Sequence, residues 1–321
     1  MRILVTGAAG MIGRKLVARL FRDGALGGRK ITALDLHDVV PMEQLSDPGI
    51  HVAIHVGDLA EPGQAAALMR DRPDIVFHLA GVVSGEAEQN FALGYRANLD
   101  GARLLFHAIH EAGHCPRVVF SSSIAVFGGP FPDIIPDDFH TVPLTSYGAQ
   151  KVMTEALLVD YTRRGFLDGV GLRLPSVCVR PGKPNKAASG FFSNIIREPL
   201  VGREAVLPVG RGVVQTHASP RSVVGFLIHA ASLDGAAIGP RRNLNMPGVA
   251  VSIGEQIEAL ERVAGKETAA LVREEHDDAI WAMVQHWPTR FAASRARELG
   301  FTAEDSFDDI IRVHIEDELS G

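Results

Sequence analysis

The chain has 321 residues, of which 46% are hydrophobic and 22% charged, and its formal net charge is −6. That length and apolar content suit a sizeable packed core rather than disorder, with room for a nucleotide-binding domain and a smaller second lobe. The acidic balance speaks against a nucleic-acid or polybasic membrane-surface binder, no window reaches the ~18 uninterrupted apolar residues of a membrane span, and two cysteines are too few for a secreted disulfide scaffold. No charged segment ahead of a long apolar one marks a signal peptide, so the expectation is a cytoplasmic protein.

Short, strand-like apolar runs at residues 2–6, 30–35, 51–55, 75–79, 117–121 and 169–174 alternate with helix-like stretches at 11–24, 63–70, 87–112 and 146–164. Strand, helix, strand at this spacing predicts an α/β fold with a doubly wound parallel sheet. Runs such as Ile75-Val76-Phe77 and Val118-Val119-Phe120 are continuously apolar, as strands covered on both faces should be. After Pro175 prolines punctuate the chain and the alternation fades. The expected partition is residues 1–175 as the nucleotide-binding domain and 176–321 as a smaller α/β substrate lobe, with some segments interleaved between them. Further helices are expected at 222–232, 252–264, 290–299 and 307–319.

The string Thr6-Gly7-Ala8-Ala9-Gly10-Met11-Ile12-Gly13 joins the first strand to the first helix. Gly7 permits a tight turn, Gly10 lets the backbone approach a pyrophosphate, and Gly13 lets the helix pack closely on the sheet. The N–H groups of the first turn, with Met11 and Ile12, then face the phosphates at the positive end of the helix dipole. With a strand before it and a helix after it, this loop predicts a Rossmann domain. Asp35, taken as the end of the second strand, would accept hydrogen bonds from the ribose hydroxyls of NAD and repel the 2′-phosphate of NADP. Asp58, followed by Leu59 after the third strand, is placed near the adenine amino group.

Ser121-Ser122-Ser123 ends a strand, Tyr147 follows 24 residues after Ser123, and Lys151 lies four residues beyond Tyr147. Residues i and i+4 share a helix face, so Lys151 can bring its ammonium beside the Tyr147 ring. An unperturbed phenol, with a pKa of about 10, is a poor base at neutral pH. A nearby cation favours the phenolate and moves it towards working pH.

On the residues Thr6–Gly13, Asp35, Asp58, His78-Leu79-Ala80-Gly81, Asn98-Leu99-Asp100-Gly101, Ser121–Ser123 and Tyr147–Lys151, the chain resembles the extended short-chain dehydrogenase/reductase family. This is the group of nucleotide-sugar epimerases and dehydratases. The resemblance implies that Ser123 polarises the reacting hydroxyl, with Ser122 able to share that role. Tyr147 would move the proton, and Lys151 would also bind the nicotinamide ribose. It further implies that Leu79, Ala80, Gly81 and Ser121 line the cofactor and that Asn98 steadies the sheet beside the site. A homodimer built from the helices at 87–112 and 146–164 follows from the same likeness.

The second half departs from the sugar-nucleotide pattern. Where such enzymes often carry Arg-Asp-Phe/Tyr-x-His-Val-x-Asp, this chain reads Val214-Gln215-Thr216-His217-Ala218-Ser219-Pro220-Arg221, without the Arg-Asp pair or the later Asp. A cationic stretch, Arg180 to Lys186, stands instead, and Lys183, Lys186 or Arg221 could orient a small carboxylate. The string from Tyr147 through Phe192 is similar to a sugar-acid-oxidising branch of the family. That likeness implies NAD-dependent oxidation of the C2 hydroxyl of a four-carbon sugar acid, with Ser84 and Glu86 among the substrate contacts. A nucleotide-sugar epimerase or dehydratase with tightly held NAD, and an NAD-sensing binding module, are the alternatives. His110-Glu111-Ala112-Gly113-His114 fits a zinc-protease string, but Gly113 reads as a helix stop, so no metal is expected. Cys115 and Cys178 read as buried apolar thiols, and Trp281 and Trp287 as packing residues of the small lobe.

Overall fold

A computed structural model describes residues 1–45, 49–182 and 189–320. The chain forms two compact units. One comprises Met1–Val126, Pro143–Arg173 and Val224–Leu244; the other comprises Phe127–Val142, Leu174–Val223 and Asn245–Gly321. Residues 127–142 thus join the second unit and 224–244 return to the first.

The first unit is built on a seven-stranded sheet. Its strands are β1 (Arg2–Thr6), β2 (Ala33–Asp38), β3 (His51–Val56), β4 (Ile75–His78), β5 (Arg117–Ser123) and β6 (Asp168–Leu174), with Asn243–Asn245 at the edge. The order runs from that edge strand through β6, β5, β4, β1 and β2 to β3. The β1–β2, β2–β3, β1–β4 and β4–β5 pairs are all parallel. Chain order reverses between β1 and β4, so the crevice that binds ligands in such sheets opens beyond the carboxyl ends of those two strands. Ile3, Leu4 and Val5 are fully buried, as burial on both sheet faces requires.

Three helices position the site: α1 (Met11–Asp23), α2 (Gly101–Ala112) and α3 (Ser146–Arg163). α1 ends at Gly24, whose left-handed φ of +60° lets its N–H bond the Leu20 carbonyl. The stretch 87–112, expected as one helix, is broken. Asn90 ends the helix Ser84–Gln89, and its side chain caps the next, Phe91–Tyr95, by accepting from Leu93 N. A π turn over Arg96–Asp100 then leads into α2. Thr154 of α3 donates its hydroxyl to the Asn98 carbonyl inside that turn at 3.1 Å. An outside donor on a helix carbonyl is a physical cause for such a bulge.

The second unit holds a three-stranded sheet in the order Val249–Ser252, Val214–Ala218, Ser176–Val177, and a parallel pair, Ala205–Leu207 with Val272–Glu274. Its helices Gly190–Leu200, Ile253–Ala264 and Phe307–His314 pack a common core of Phe192, Ile195, Ile257, Leu260, Phe307 and Ile311. The expected helix at 290–299 is shorter, Ser294–Glu298. Residues 290–292 instead pair with Ile135, through Ile135 N to Arg290 O and Ala292 N to Ile135 O. Among the described residues no helix is long and apolar enough to cross a membrane.

Candidate active site

The glycine loop closes tightly over the end of β1. Gly7 adopts φ +74°, and a Cβ there would sit 2.7 Å from Ala80 N. A Cβ on Gly13 would lie 2.1 Å from the Gly7 carbonyl oxygen, so only glycine lets α1 start this close to the strand. The N–H groups of Gly7 and Ala8 both donate to His37 O, at 2.8 and 3.1 Å. Gly10 is the N-cap of α1; no side chain caps this end, and no acid lies in the first turn, where Met11 and Ile12 begin the helix. Such a helix end presents N–H groups and positive potential to an anion.

Asp35 is not at the end of β2. It pairs with Leu4 in mid-strand, is 2% exposed, and forms an ion pair with Arg2 at 3.0 Å, with His55 at 3.6 Å. The strand continues to Asp38, whose carboxylate accepts from Ala9 N in the glycine loop at 2.9 Å. The acid beside the loop is therefore Asp38, which sequence reading passed over. Asp58 accepts from Ala60 N at 2.8 Å and pairs with Arg96 at 2.7 Å. Leu59 is buried in the core with Leu4, Leu105 and Phe106.

Tyr147 opens α3, whose N-cap Thr145 accepts from Gly148 N at 3.0 Å. Lys151 follows one turn later, 4% exposed, with Nζ 5.5 Å from the centre of the Tyr147 ring and 4.8 Å from that of Phe120. Its ammonium donates to the Ser121 carbonyl at 2.8 Å. Burial pulls its pKa down to about 8, and the Glu155 carboxylate opposes that fall. A Cβ on Gly81 would lie 2.5 Å from Asn98 Oδ1 and 4.0 Å from Lys151 Nζ, so these three residues converge. Asn98 accepts from Val82 N at 2.9 Å and donates to Gln150 at 2.7 Å, tying the loop after β4 to α3. Leu79 N bonds Thr6 O, and Leu79 and Ala80 lie against Gly7.

Of the three serines, Ser121 donates to His78 O at 3.3 Å and Ser123 Oγ accepts from Ala125 N at 3.1 Å. Ser122 points to the opposite face, as strand alternation requires. It is 3% exposed and donates to Glu155 at 2.6 Å, so it does not share the serine role. Ser84 and Glu86 lie in the first turn of Ser84–Gln89, half-buried.

In the second unit, Arg221 is bound by Asp317 at 2.5 Å and Glu316 at 3.0 Å, which occupies the guanidinium expected for a substrate carboxylate. Lys183 and Lys186 lie outside the described residues. Cys178 is buried, its thiol pushed up to about 12, whereas Cys115 is exposed, against expectation. Trp287 packs on the core of its unit; Trp281 is 37% exposed.

The model for the NAD dependent epimerase/dehydratase family matches residues 3–215. The chain belongs to this family. A D-erythronate dehydrogenase of Cupriavidus necator is 45% identical over 321 residues, spanning 99% of this chain and 98% of its own. One from Haemophilus influenzae is 38% identical over 317 residues, 98% of this chain and 99% of its own. A solved structure titled a nucleoside-diphosphate-sugar epimerase, from Agrobacterium tumefaciens, superposes with TM-score 0.97 at 59% identity, covering all of this chain and 95% of its own. As in the family, the cofactor is NAD, and with its dehydrogenase relatives the protein is an NAD-dependent dehydrogenase. The glycine cradle that a Cβ would fill, the open N-terminus of α1 and the carboxylate of Asp38 at the loop all fit a dinucleotide.

Proposed function

We propose that this protein oxidises the C2 hydroxyl of a small sugar acid, D-erythronate, to the 2-oxo acid, with Ser123, Tyr147 and Lys151 as the reacting set. The observation that carries the reading is the buried Lys151 ammonium, anchored on the Ser121 carbonyl beside the Tyr147 ring. The substrate name rests on the two D-erythronate dehydrogenases.

Gly7, Gly10 and Gly13 hold the pyrophosphate against the start of α1, Asp38 takes the adenosine ribose, and Leu79, Ala80 and Gly81 line the cofactor beyond β4. Asn98 holds that lining in place. When bound, NAD supplies the acceptor for the hydride that leaves C2. Ser123 orients the C2 hydroxyl by hydrogen bonding. Tyr147, as phenolate, takes the hydroxyl proton, and the Lys151 ammonium favours that phenolate. Atoms balance as one hydride to NAD and one proton to Tyr147, later released to solvent. Ser84 is a candidate contact to the substrate, and Lys183 and Lys186 are the candidate carboxylate anchors on sequence grounds alone. We further propose a cytoplasmic homodimer, which light scattering on the purified chain would test.

The test is a panel of aldonates and sugar nucleotides scored for reduced-nicotinamide absorbance. D-erythronate should give one NADH per turnover. The Agrobacterium tumefaciens title favours a second reading, an epimerase that regenerates its NAD. Turnover of a sugar nucleotide without net NADH, and silence on every aldonate, would replace the first reading with the second.

A further inference from the structure

Beneath the catalytic pair lies a buried ionic network with no part in the steps above. Glu155, one turn beyond Lys151 on α3, is 3% exposed. Its carboxylate accepts from Ser122 Oγ at 2.6 Å. It is also clamped by Arg173 of β6, through Nε at 3.0 and 3.2 Å and through the terminal nitrogen at 2.7 Å. Lys151 grips the carbonyl of Ser121 while Glu155 grips the hydroxyl of Ser122. Two side chains one helical turn apart therefore hold consecutive residues at the end of β5, just before Ser123.

A buried ion pair is a poor stabiliser. Two charges lose their hydration, and a well-packed apolar pair of similar volume often does as well or better. This pair places a carboxylate one turn beyond the buried ammonium on the same helix, where its charge acts on Lys151. The charged and titratable groups around Lys151 are Glu155 and Tyr147 on its own helix, His78 on β4, and Arg173 on β6 acting through Glu155. His78 is fully buried and held neutral, its pKa pulled down to about 3 by burial first and then by Lys151. Phe120, Ser121 and Asn98 bring no charge. Glu155 is thus the one carboxylate in this set.

We propose that Glu155, oriented by Arg173 and Ser122, is a positioning residue for the catalytic pair: it keeps Lys151 charged and fixes the end of β5 against α3. The inference rests on the reading of Lys151 as the partner of Tyr147. Arg173 partly cancels the anion's field and, more importantly, fixes where it points. Ser122 links that anion to the strand that delivers Ser123.

The chain has only six lysines, so their side-chain resonances can be followed by NMR in isotopically labelled, full-length protein without substrate. Lys151→Met assigns the signal by deleting it. In Glu155→Gln the midpoint of Lys151 should fall by about one pH unit, because an opposing charge in a low-dielectric site has been removed. Arg173→Lys, which keeps the counter-charge, should hold it within a few tenths. The alkaline limb of kcat/KM should move down with the NMR midpoint in Glu155→Gln. An unmoved Lys151 midpoint would overturn the inference even if the variant loses stability, since a structural role alone has no effect on that titration. A midpoint that moves while the activity limb stays would equally overturn it. If Glu155→Gln fails to fold, Glu155→Asp carries the test: its shorter arm withdraws the charge, and an unchanged midpoint is again fatal. Should the protein prove inactive on every aldonate, the NMR arm still reads, so failure of the substrate reading and failure of this one are distinguishable.

Discussion

Lys151→Met is expected to stabilise the protein while abolishing its activity. The Lys151 ammonium is pulled from 10.5 to about 8, chiefly by burial. Each pH unit of depression is ~1.4 kcal/mol in favour of the neutral form, so the charged side chain costs the fold on the order of 3 kcal/mol at pH 7. Methionine fills a similar volume without charge, but it leaves the Ser121 carbonyl without its 2.8 Å donor. That loss returns roughly 1–3 kcal/mol. The net gain is about 1 kcal/mol, or about 2–4 °C in Tm for a unit of this size. The gain has a pH signature. Below about 8 the lysine is protonated in both folded and unfolded chains, and the full penalty is present. From about 8 to 10.5 the folded lysine is neutral while the unfolded one still binds its proton, so wild-type stability climbs relative to the variant. Above 10.5 the penalty is gone. Thermal unfolding of both proteins at pH 7 and pH 10 (about half a unit below the ~10.4 of a free lysine) measures this directly. A variant equally less stable than wild type at both pH values would refute the argument that charge burial, rather than packing, governs Lys151.

Tyr147→Phe should lower kcat by about 10²–10⁴-fold, the span of a lost general base, while NAD affinity measured by fluorescence titration stays within a few-fold. Gly13→Ala places a Cβ 2.1 Å from the Gly7 carbonyl, so α1 must retreat from the loop. A loss of about 1–3 kcal/mol in unfolding free energy is expected, with NAD affinity at least ~10-fold weaker, by calorimetry and titration. Asp38→Asn should weaken NAD by about 10-fold at near wild-type stability, whereas Asp35→Asn, which strips Arg2 of its buried partner, should lower Tm and leave NAD affinity alone. The reverse pattern would return the ribose role to Asp35.

The features legible in the sequence are those that a few neighbouring residues define. The glycine loop needs only a strand, a turn and a helix start within thirteen residues of the N-terminus, and Tyr147 and Lys151 meet because four residues make about one helical turn. What escaped depends on distant partners. Glu155 and Arg173 are eighteen residues apart on different elements and meet only once β6 has paired into the sheet. Arg221 looked like a free cation because its partners, Glu316 and Asp317, come from the last turn of the chain. The break in 87–112 is driven in part by Thr154, which no local pattern could supply.

The two aspartates of β2 carry the same lesson for the cofactor. Apolar periodicity marks a strand through Asp35 but says nothing of where pairing stops, and an acid after Leu34 resembles a strand end. Pairing with β1 settles the matter, because Leu4 faces Asp35, Thr6 faces His37, and the glycine loop starts only after Thr6. Asp35 therefore lies two residues short of the row where the loop begins, and both oxygens of its carboxylate are bonded by Arg2. Asp38 lies one residue past that row and already accepts from the loop at Ala9. On the proposed function, the register of β2 against β1, not the spacing from the glycines, is what puts Asp38 rather than Asp35 beside the loop and makes it the carboxylate for the ribose.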